Sequence, residues 1–436
     1  MVGKMPPMPR DDYRSRHRAR RHAEAHDDED VGVAVEVPDH PLIPRGEAVM
    51  VDTQDALEDV LDTLEAAGSF AYDTEFIGES TYTPVLCLIQ VATSEGLWLI
   101  DPMAGGMDVT GVWELIADPA VRTIVHAGEQ DLEPVVRHLG RAPANVFDTQ
   151  IAAGFAAMAY PTSLSKLVGE LAGVQLGKGL TFTDWSERPL SKKQKHYAAD
   201  DVRYLPAVAA ALDEDLEKRG HAAWAQAECD AACAVERHTF DLDRAVKRTK
   251  GAGGLDPDQR PVIEHLVSWR DAVARERDLP PRALVKDEAL VAIARKRKLA
   301  AGDLGDVKFF PRSLAAEAGA DVVAAWAAGR EAGKGVPRKR GKEPETPPSH
   351  KFAATSLHAL FAAACHARGL DPDLICKRTA ILDLATDVLA GRAEADEQFL
   401  DGWRDEACGD MLQDLLAGAT VKVKWDRPAG TSGGKG

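Results

Sequence analysis

Apolar and polar positions follow three regimes along this chain. Residues 1–45 show no apolar periodicity, with basic residues clustered over Arg10–Arg21 and acidic ones over Asp27–Asp30, which predicts a disordered arm that adds nothing to a core. From residue 46 the pattern turns α/β. A helix follows Asp52-Thr53, and apolar runs at 69–76, 85–92 and 97–101, each bounded by Gly, Pro or Ser, predict three successive strands and an antiparallel start. A helix near 109–117, a strand at Arg122-Thr-Ile-Val-His126 and an amphipathic helix about Gln130–Leu139 then set up the strand and helix alternation of a βαβ half. Val146-Phe147 is the last short strand, and the remainder to residue 240 is helical. Beyond Gly251-Ala-Gly253-Gly254, expected to be a flexible joint, strand signals stop. Two helical segments, 255–332 and 350–420, flank a linker at 333–349 rich in Lys, Arg and Pro, and residues 421–436 have the composition of a mobile tail. The expected architecture is one α/β domain with a mixed sheet over 46–240, followed by two small all-α domains.

Size and charge narrow the function classes. A chain of 436 residues exceeds one compact core, and 45% hydrophobic content suffices for several. The formal charge is −17, which excludes a protein that coats nucleic acid over its whole surface. Contact with a polyanion would need local basic patches, and Arg18-Ala-Arg20-Arg21, Lys192-Lys193-Gln-Lys195, Arg295-Lys-Arg-Lys298 and Arg338-Lys-Arg340 offer them. The six cysteines form no CxxC pair and are too sparse for a disulfide framework. The N-terminus lacks an apolar signal segment, and no run of about 18 apolar residues suggests a membrane span. A soluble, cytoplasmic protein is expected.

The candidate chemistry lies in acidic residues. Asp73 and Glu75 in Ser69-Phe-Ala-Tyr-Asp73-Thr-Glu75-Phe76 alternate with Tyr72, Thr74 and Phe76, so both would share one face of a strand. The same spacing recurs at Asp241/Asp243, Asp256/Asp258 and Asp371/Asp373, but beside Gly, Pro or charged residues that belong to turns and surface. Carboxylates turned into an apolar setting are costly unless cations compensate them. A second acidic segment, His126-Ala-Gly-Glu129-Gln130-Asp131, falls where a strand hands over to a helix, and composition does not choose between Glu129 and Asp131. A third, Ser191-Lys-Lys-Gln-Lys-His196-Tyr197-Ala-Ala-Asp200-Asp201, is a helix with Ser191 as N-cap and with Tyr197 and Asp201 one turn apart. No GxxxxGK[ST] phosphate loop is present, so the chain is not a P-loop helicase.

Taken together, Asp73-x-Glu75, Asp131 after the strand ending in His126, and Tyr197-x-x-x-Asp201 resemble the tyrosine-containing branch of the DEDD exonuclease superfamily. Thr81-Tyr-Thr-Pro84, Leu88-Ile-Gln90 and Asp184-Trp185-Ser-Glu-Arg188-Pro189-Leu190-Ser191 narrow the resemblance to the bacterial ribonuclease D family over residues 50–215. Trp269-Arg270, Asp278-Leu-Pro280 and Val285-Lys-Asp287-Glu288-Ala-Leu290 are similar to an HRDC domain, and the second helical segment matches one more loosely.

The resemblance implies a ribonuclease H-like fold and a 3′–5′ exoribonuclease. Its expected cofactors are two divalent ions, Mg²⁺ or Mn²⁺, held by Asp73, Glu75, Asp131 and Asp201. One ion would ease the ionisation of water and the other would stabilise the leaving 3′ oxygen. Asp73 would bridge both, Asp131 would reach its ion through water, and Tyr197 would orient the attacking water. His196 also fits the spacing of a histidine-containing branch, but the surrounding Gln194-x-x-Tyr197-Ala-Ala favours Tyr197. Phe76 is a candidate to stack on the terminal base, and Lys178 and Arg188 to bind phosphate. Leu176-Gly177-Lys178-Gly179 departs from the family, which places Asp before and Ser after the lysine, so substrate contacts there would differ. The implied substrates are precursor tRNA and other small RNAs. A DNA 3′–5′ exonuclease and a non-catalytic RNA-binding scaffold are the alternatives.

Overall fold

The computed structural model describes residues 37–78, 80–177, 179–180, 183–337, 347–389 and 402–418. A short strand, β1 (Val49–Val51), leads into α1 (Gln54–Ala67). The Thr53 side chain accepts from the Ala56 N–H at the start of α1. Gly68 ends it at a φ of 66°, which a side-chain-bearing residue adopts only at a cost. The chain then runs through β2 (Ser69–Ile77), β3 (Val85–Ala92), β4 (Leu97–Ile100), α2 (Thr110–Ile116), β5 (Arg122–Val125), α3 (Glu133–Leu139) and β6 (Val146–Asp148).

These strands form one mixed sheet in the order β1-β4-β3-β2-β5-β6. β2 pairs antiparallel with β3 and β3 with β4, while β5 is parallel to β2 and β6 to β5. The antiparallel start and the βαβ half follow the apolar pattern. β1, three residues long and parallel to β4, has too little sequence to declare itself.

The pleat divides the core. Phe70 and Tyr72 pack with Leu57, Val60, Leu64 and Trp113 under α1 and α2, whereas Ala71 faces the opposite layer. That layer is helical: α4 (Thr149–Phe155), α5 (Leu164–Leu171), α6 (Lys192–Arg203), α7 (Leu205–Arg219) and α8 (Ala222–Ala232). Burying an aliphatic or aromatic side chain contributes about 1.5–3 kcal/mol, so the two packed layers dominate the stability of this domain.

A first helical unit follows, with α9 (Leu242–Arg248), α10 (Arg260–Glu276), α11 (Pro281–Leu284), α12 (Asp287–Ala294) and α13 (Arg312–Ala332). It begins earlier than its sequence suggested. Val246 is buried with Val262, Ile263 and Leu266, and Leu242, Ala252 and Leu255 pack against the same core. The glycine run is therefore not a loose joint: it forms a 3₁₀ turn, and the preceding Lys250 N–H donates to Asp287.

A second helical unit comprises α14 (Pro348–Ala367), α15 (Pro372–Ile375), α16 (Arg378–Leu389) and α17 (Trp403–Leu416). Rather than standing alone, it shares a core with the α/β domain. Phe361, Cys365, Leu374 and Trp403 join Phe155, Leu205 and Cys229 in one cluster. The Trp403 ring meets Phe155 edge-on at 4.7 Å, and its indole N–H donates to Glu228.

The arm expectation also needs correcting at its inner end. Ile43 is 3% exposed within the α/β core, and the Arg203 guanidinium donates to the carbonyls of Pro44 and Gly46. Residues 1–36, the centre of the linker and the tail from 419 lie outside the described residues. Among the described residues no helix is long and apolar enough to cross a membrane.

Candidate active site

Alternation along β2 sends Asp73 and Glu75 to the face that carries Ala71. α6 lies across this face. Ser191 and Gln194 form a reciprocal capping box at its start, and Ala198 seats it on Cys87, Leu88 and Leu99 of the sheet. One turn past Tyr197, Asp201 then reaches the strand pair. Carboxylate oxygens of Asp73, Glu75 and Asp201 lie within 4.8 Å of one another.

Asp131 arrives from the turn between β5 and α3. Gly128 is required there, because a Cβ at that position would stand 2.7 Å from the Val125 side chain. The buried Asp148 carboxylate accepts from the N–H groups of Ala127, Gly128 and Gln150 and fixes the turn. Tyr72 and Thr74, on the opposite face of β2 from Asp73, then hold Asp131: Tyr72 Oη donates to its carbonyl at 2.9 Å, and Thr74 Oγ1 donates to its carboxylate. α3 itself starts only at Glu133, so Asp131 sits in a turn and not within the helix expected from Gln130.

None of the four carboxylates forms an ion pair with a basic side chain among the described residues. Their electrostatics reflect this. Burial, followed by the charge of Asp201 and then Asp131, pushes Glu75 up to about 8. Burial and then Asp200 raise Asp201 to about 7, and burial raises Asp131 to about 6. Asp73 is raised by burial and then by Asp131, Asp201 and Glu75, so the four carboxylates share one repulsive field. An all-oxygen set whose members repel one another suits a hard divalent cation and fits the ions implied by the resemblance.

The structure separates the two candidates on α6. Tyr197 is half-buried beside Trp185, hydrogen-bonds Asp201 and is raised by burial and then by Asp201, Glu75 and Asp73, so its hydroxyl keeps its proton at neutral pH. His196, 61% exposed, pairs instead with Asp200 at 3.3 Å. Glu129 likewise turns outward to Arg244 at 3.5 Å, whereas Asp131 lies near enough to Asp73 and Glu75 to raise both.

Arg188 is a correction. Every N–H of its guanidinium is engaged, with Asp101 through two bonds and with the carbonyls of Trp185, Glu187 and Cys87. It has no donor left for phosphate. Its role is visible in the register: Glu75 sits opposite Leu88 but Phe76 opposite Leu86, so Cys87 is passed over and its carbonyl is taken by Arg188. Phe76, just past this slip, stays partly exposed. Lys178 lies outside the described residues.

Sequence reasoning missed the supports. Tyr72 and Thr74 read only as the strand positions that alternate with the carboxylates, and nothing in the local pattern singled out Asp148. Gln90, fully buried opposite Asp73 with neither amide atom hydrogen-bonded among the described residues, was marked only by being polar inside Leu88-Ile-Gln90-Val91.

The mixed sheet and its carboxylates define an exonuclease domain. A family model described as a 3′-5′ exonuclease matches residues 48–217, and an HRDC domain model matches residues 259–325. Ribonuclease D of Gluconacetobacter diazotrophicus is 32% identical over 85% of this chain and 93% of its own length. Ribonuclease D of Granulibacter bethesdensis is also 32% identical, over 84% of this chain and 91% of its own. Among solved structures, Escherichia coli RNase D, described as an exoribonuclease involved in structured RNA processing, superposes with a TM-score of 0.69 at 28% identity. That superposition covers 85% of this chain and 99% of the other. The chain belongs to the ribonuclease D family and is a 3′–5′ exoribonuclease. Exonuclease domains of this kind depend on divalent metal, and the carboxylate cluster is in keeping with that.

Proposed function

We propose that this enzyme trims the 3′ ends of precursor tRNA and other small structured RNAs, releasing nucleotides by hydrolysis with two divalent ions, Mg²⁺ or Mn²⁺. The observation that carries this reading is the grouping of three unneutralised carboxylates, Asp73 and Glu75 from β2 and Asp201 from α6, with Asp131 of the β5–α3 turn close enough to raise Asp73. Asp73, Glu75, Asp131 and Asp201 would hold the ions, with Asp73, grouped with Glu75 and Asp201, as the central ligand. When bound, the ions favour hydroxide over water near neutral pH and offset charge on the departing 3′ oxygen.

The chain's own groups do the positioning. Tyr197, protonated and hydrogen-bonded to Asp201, holds the attacking water in line. Glu75 and Asp201 orient the nucleophile side, and Asp131, anchored by Tyr72 and Thr74, faces the leaving side. Phe76 stacks on the terminal base, and Lys178 contacts a phosphate. The domains are assigned as an exonuclease from 46 to about 240, an HRDC domain that extends back to Leu242, and a second HRDC-like unit fused to the exonuclease core. All six cysteines are free thiols, which supports a reducing cytoplasmic setting.

The test is nucleotide release from a 3′-extended tRNA precursor with Mg²⁺ or Mn²⁺, alongside Asp73→Ala. Release by the wild type and its loss in the variant are expected; release undiminished by the substitution would refute the site. A matched DNA end competing poorly with RNA would support readout of the 2′-OH, and equal competition would favour the DNA exonuclease reading.

A further inference from the structure

Thr81-Tyr-Thr-Pro84, part of the family resemblance, has no place in the chemistry above. It lies in the loop that joins β2 to β3 on the hairpin that carries Asp73, with Tyr82 seven residues beyond Glu75. From this loop Tyr82 crosses to the first helical unit and packs against its core. Its hydroxyl donates to Asp271 Oδ1 at 2.8 Å and accepts from Arg275 Nη2 at 3.0 Å. The Arg275 guanidinium lies 5.1 Å from the ring centroid, a cation–π distance. The Tyr82 backbone N–H donates to Asp278 Oδ1 at 3.0 Å.

Asp278 itself sits at a φ of 50°, a left-handed conformation that costs a non-glycine residue about 1 kcal/mol or more. Its carboxylate is placed on the Tyr82 N–H by that turn. Another bond between the two domains, Arg244 to Glu129, is longer at 3.5 Å and exposed. One tyrosine thus gathers three hydrogen bonds and a ring contact, on the side of the catalytic domain that leads directly to the metal-ligand strand.

We propose that Tyr82, with Asp271, Arg275 and Asp278, is a substrate-selecting clasp that holds the first helical unit at a fixed reach from the carboxylates. This rests on the reading above that the substrate is RNA, and takes the basic run Arg295-Lys-Arg-Lys298 of the helical unit as what contacts its body. An RNA long enough to touch both surfaces then binds as a bivalent ligand, and its second contact forms at a high effective concentration set by the rigid spacing. A short oligonucleotide touches only the catalytic cleft and gains nothing. Releasing the clasp leaves the helical unit held by the chain and by the longer, exposed Arg244–Glu129 contact, so the second contact weakens while the hydrolytic step does not change. Tyr82 is a positioning residue in this scheme, outside the reacting atoms.

The experiment compares wild type, Tyr82→Phe and Tyr82→Ala in the full chain on two substrates, a 3′-extended hairpin RNA and an unstructured pentanucleotide. For Tyr82→Ala, KM on the hairpin rises about tenfold with kcat within about twofold, and both constants on the pentanucleotide stay within about twofold. Tyr82→Phe, which keeps the ring beneath Arg275 and the backbone bond to Asp278, gives a smaller rise in the same direction. An unchanged hairpin KM in both variants overturns the clasp. So does an equal loss on both substrates, which would make the loop a support for Glu75 and not a spacer. If the wild type releases nucleotides from neither RNA, the RNA reading itself fails and the clasp falls with it.

Discussion

Replacing Asp73 with asparagine should stabilise the metal-free protein. Glu75 is raised from 4.5 to about 8, Asp201 from 3.8 to about 7 and Asp131 from 3.8 to about 6, with burial as the first cause and neighbouring carboxylates adding to it. A folded-state value above the unfolded one means that the contribution to stability is complete below about pH 4 and is lost as pH rises through the folded value. The metal-free wild type should therefore lose stability between about pH 5 and pH 8. A tenfold change in a group's proton affinity on folding corresponds to about 1.4 kcal/mol. Because the groups share one field, their contributions do not add, and a total of a few kcal/mol is the useful scale.

The asparagine would keep the shape of the side chain and remove the charge that faces all three partners. Relief of about 1–2 kcal/mol at pH 8 would raise Tm by about 2–8 °C in a domain of this size. The assay is thermal unfolding in EDTA at pH 5 and pH 8, repeated with Mn²⁺. Wild type should gain Tm with the ion according to its affinity, and Asp73→Asn should gain less. A metal-free wild-type Tm that does not fall between the two pH values, or an Asp73→Asn variant less stable than wild type at pH 8, would refute the reasoning.

Two further outcomes follow from the site. Tyr197→Phe should lower kcat by about 10²-fold or more while metal-induced stabilisation persists, and His196→Ala should change kcat by less than about twofold; steady-state kinetics with parallel melting curves decide, and the reverse pattern would move the role to the histidine. Arg188→Ala should cost about 3–5 kcal/mol of stability, since it strands Asp101, whose side chain is only 8% exposed, together with the Cys87 carbonyl. An effect confined to KM, without a fall in Tm, would restore Arg188 as a phosphate contact.

Local pattern was enough to read most strands and the carboxylates themselves. Period-two alternation puts Asp73 and Glu75 on one face whatever packs above them, and helical spacing puts Tyr197 and Asp201 together for the same reason. His196 pairs with Asp200 and Tyr197 with Asp201 because residues four apart share a helix face and residues five apart do not. Arg188 failed as a ligand candidate since its partners, Asp101 and Cys87, are about 90–100 residues distant, beyond any local rule. The glycine run looked like a joint because composition reports conformational freedom and not what packs around it.

What the amino-acid order determined by itself is therefore the set of short-range facts: which faces are apolar, that Ser191 caps a helix, and that Asp73 and Glu75 share a strand face. Tertiary structure alone decided that Asp131 and not Glu129 is anchored to β2, because Tyr72 and Thr74 reach it across two elements. It also decided that Tyr82 joins the catalytic hairpin to α10, through bonds spanning nearly 200 residues of chain. Periodicity encodes direction relative to one backbone, whereas contacts between elements depend on how separate backbones are brought together by burial of their apolar faces.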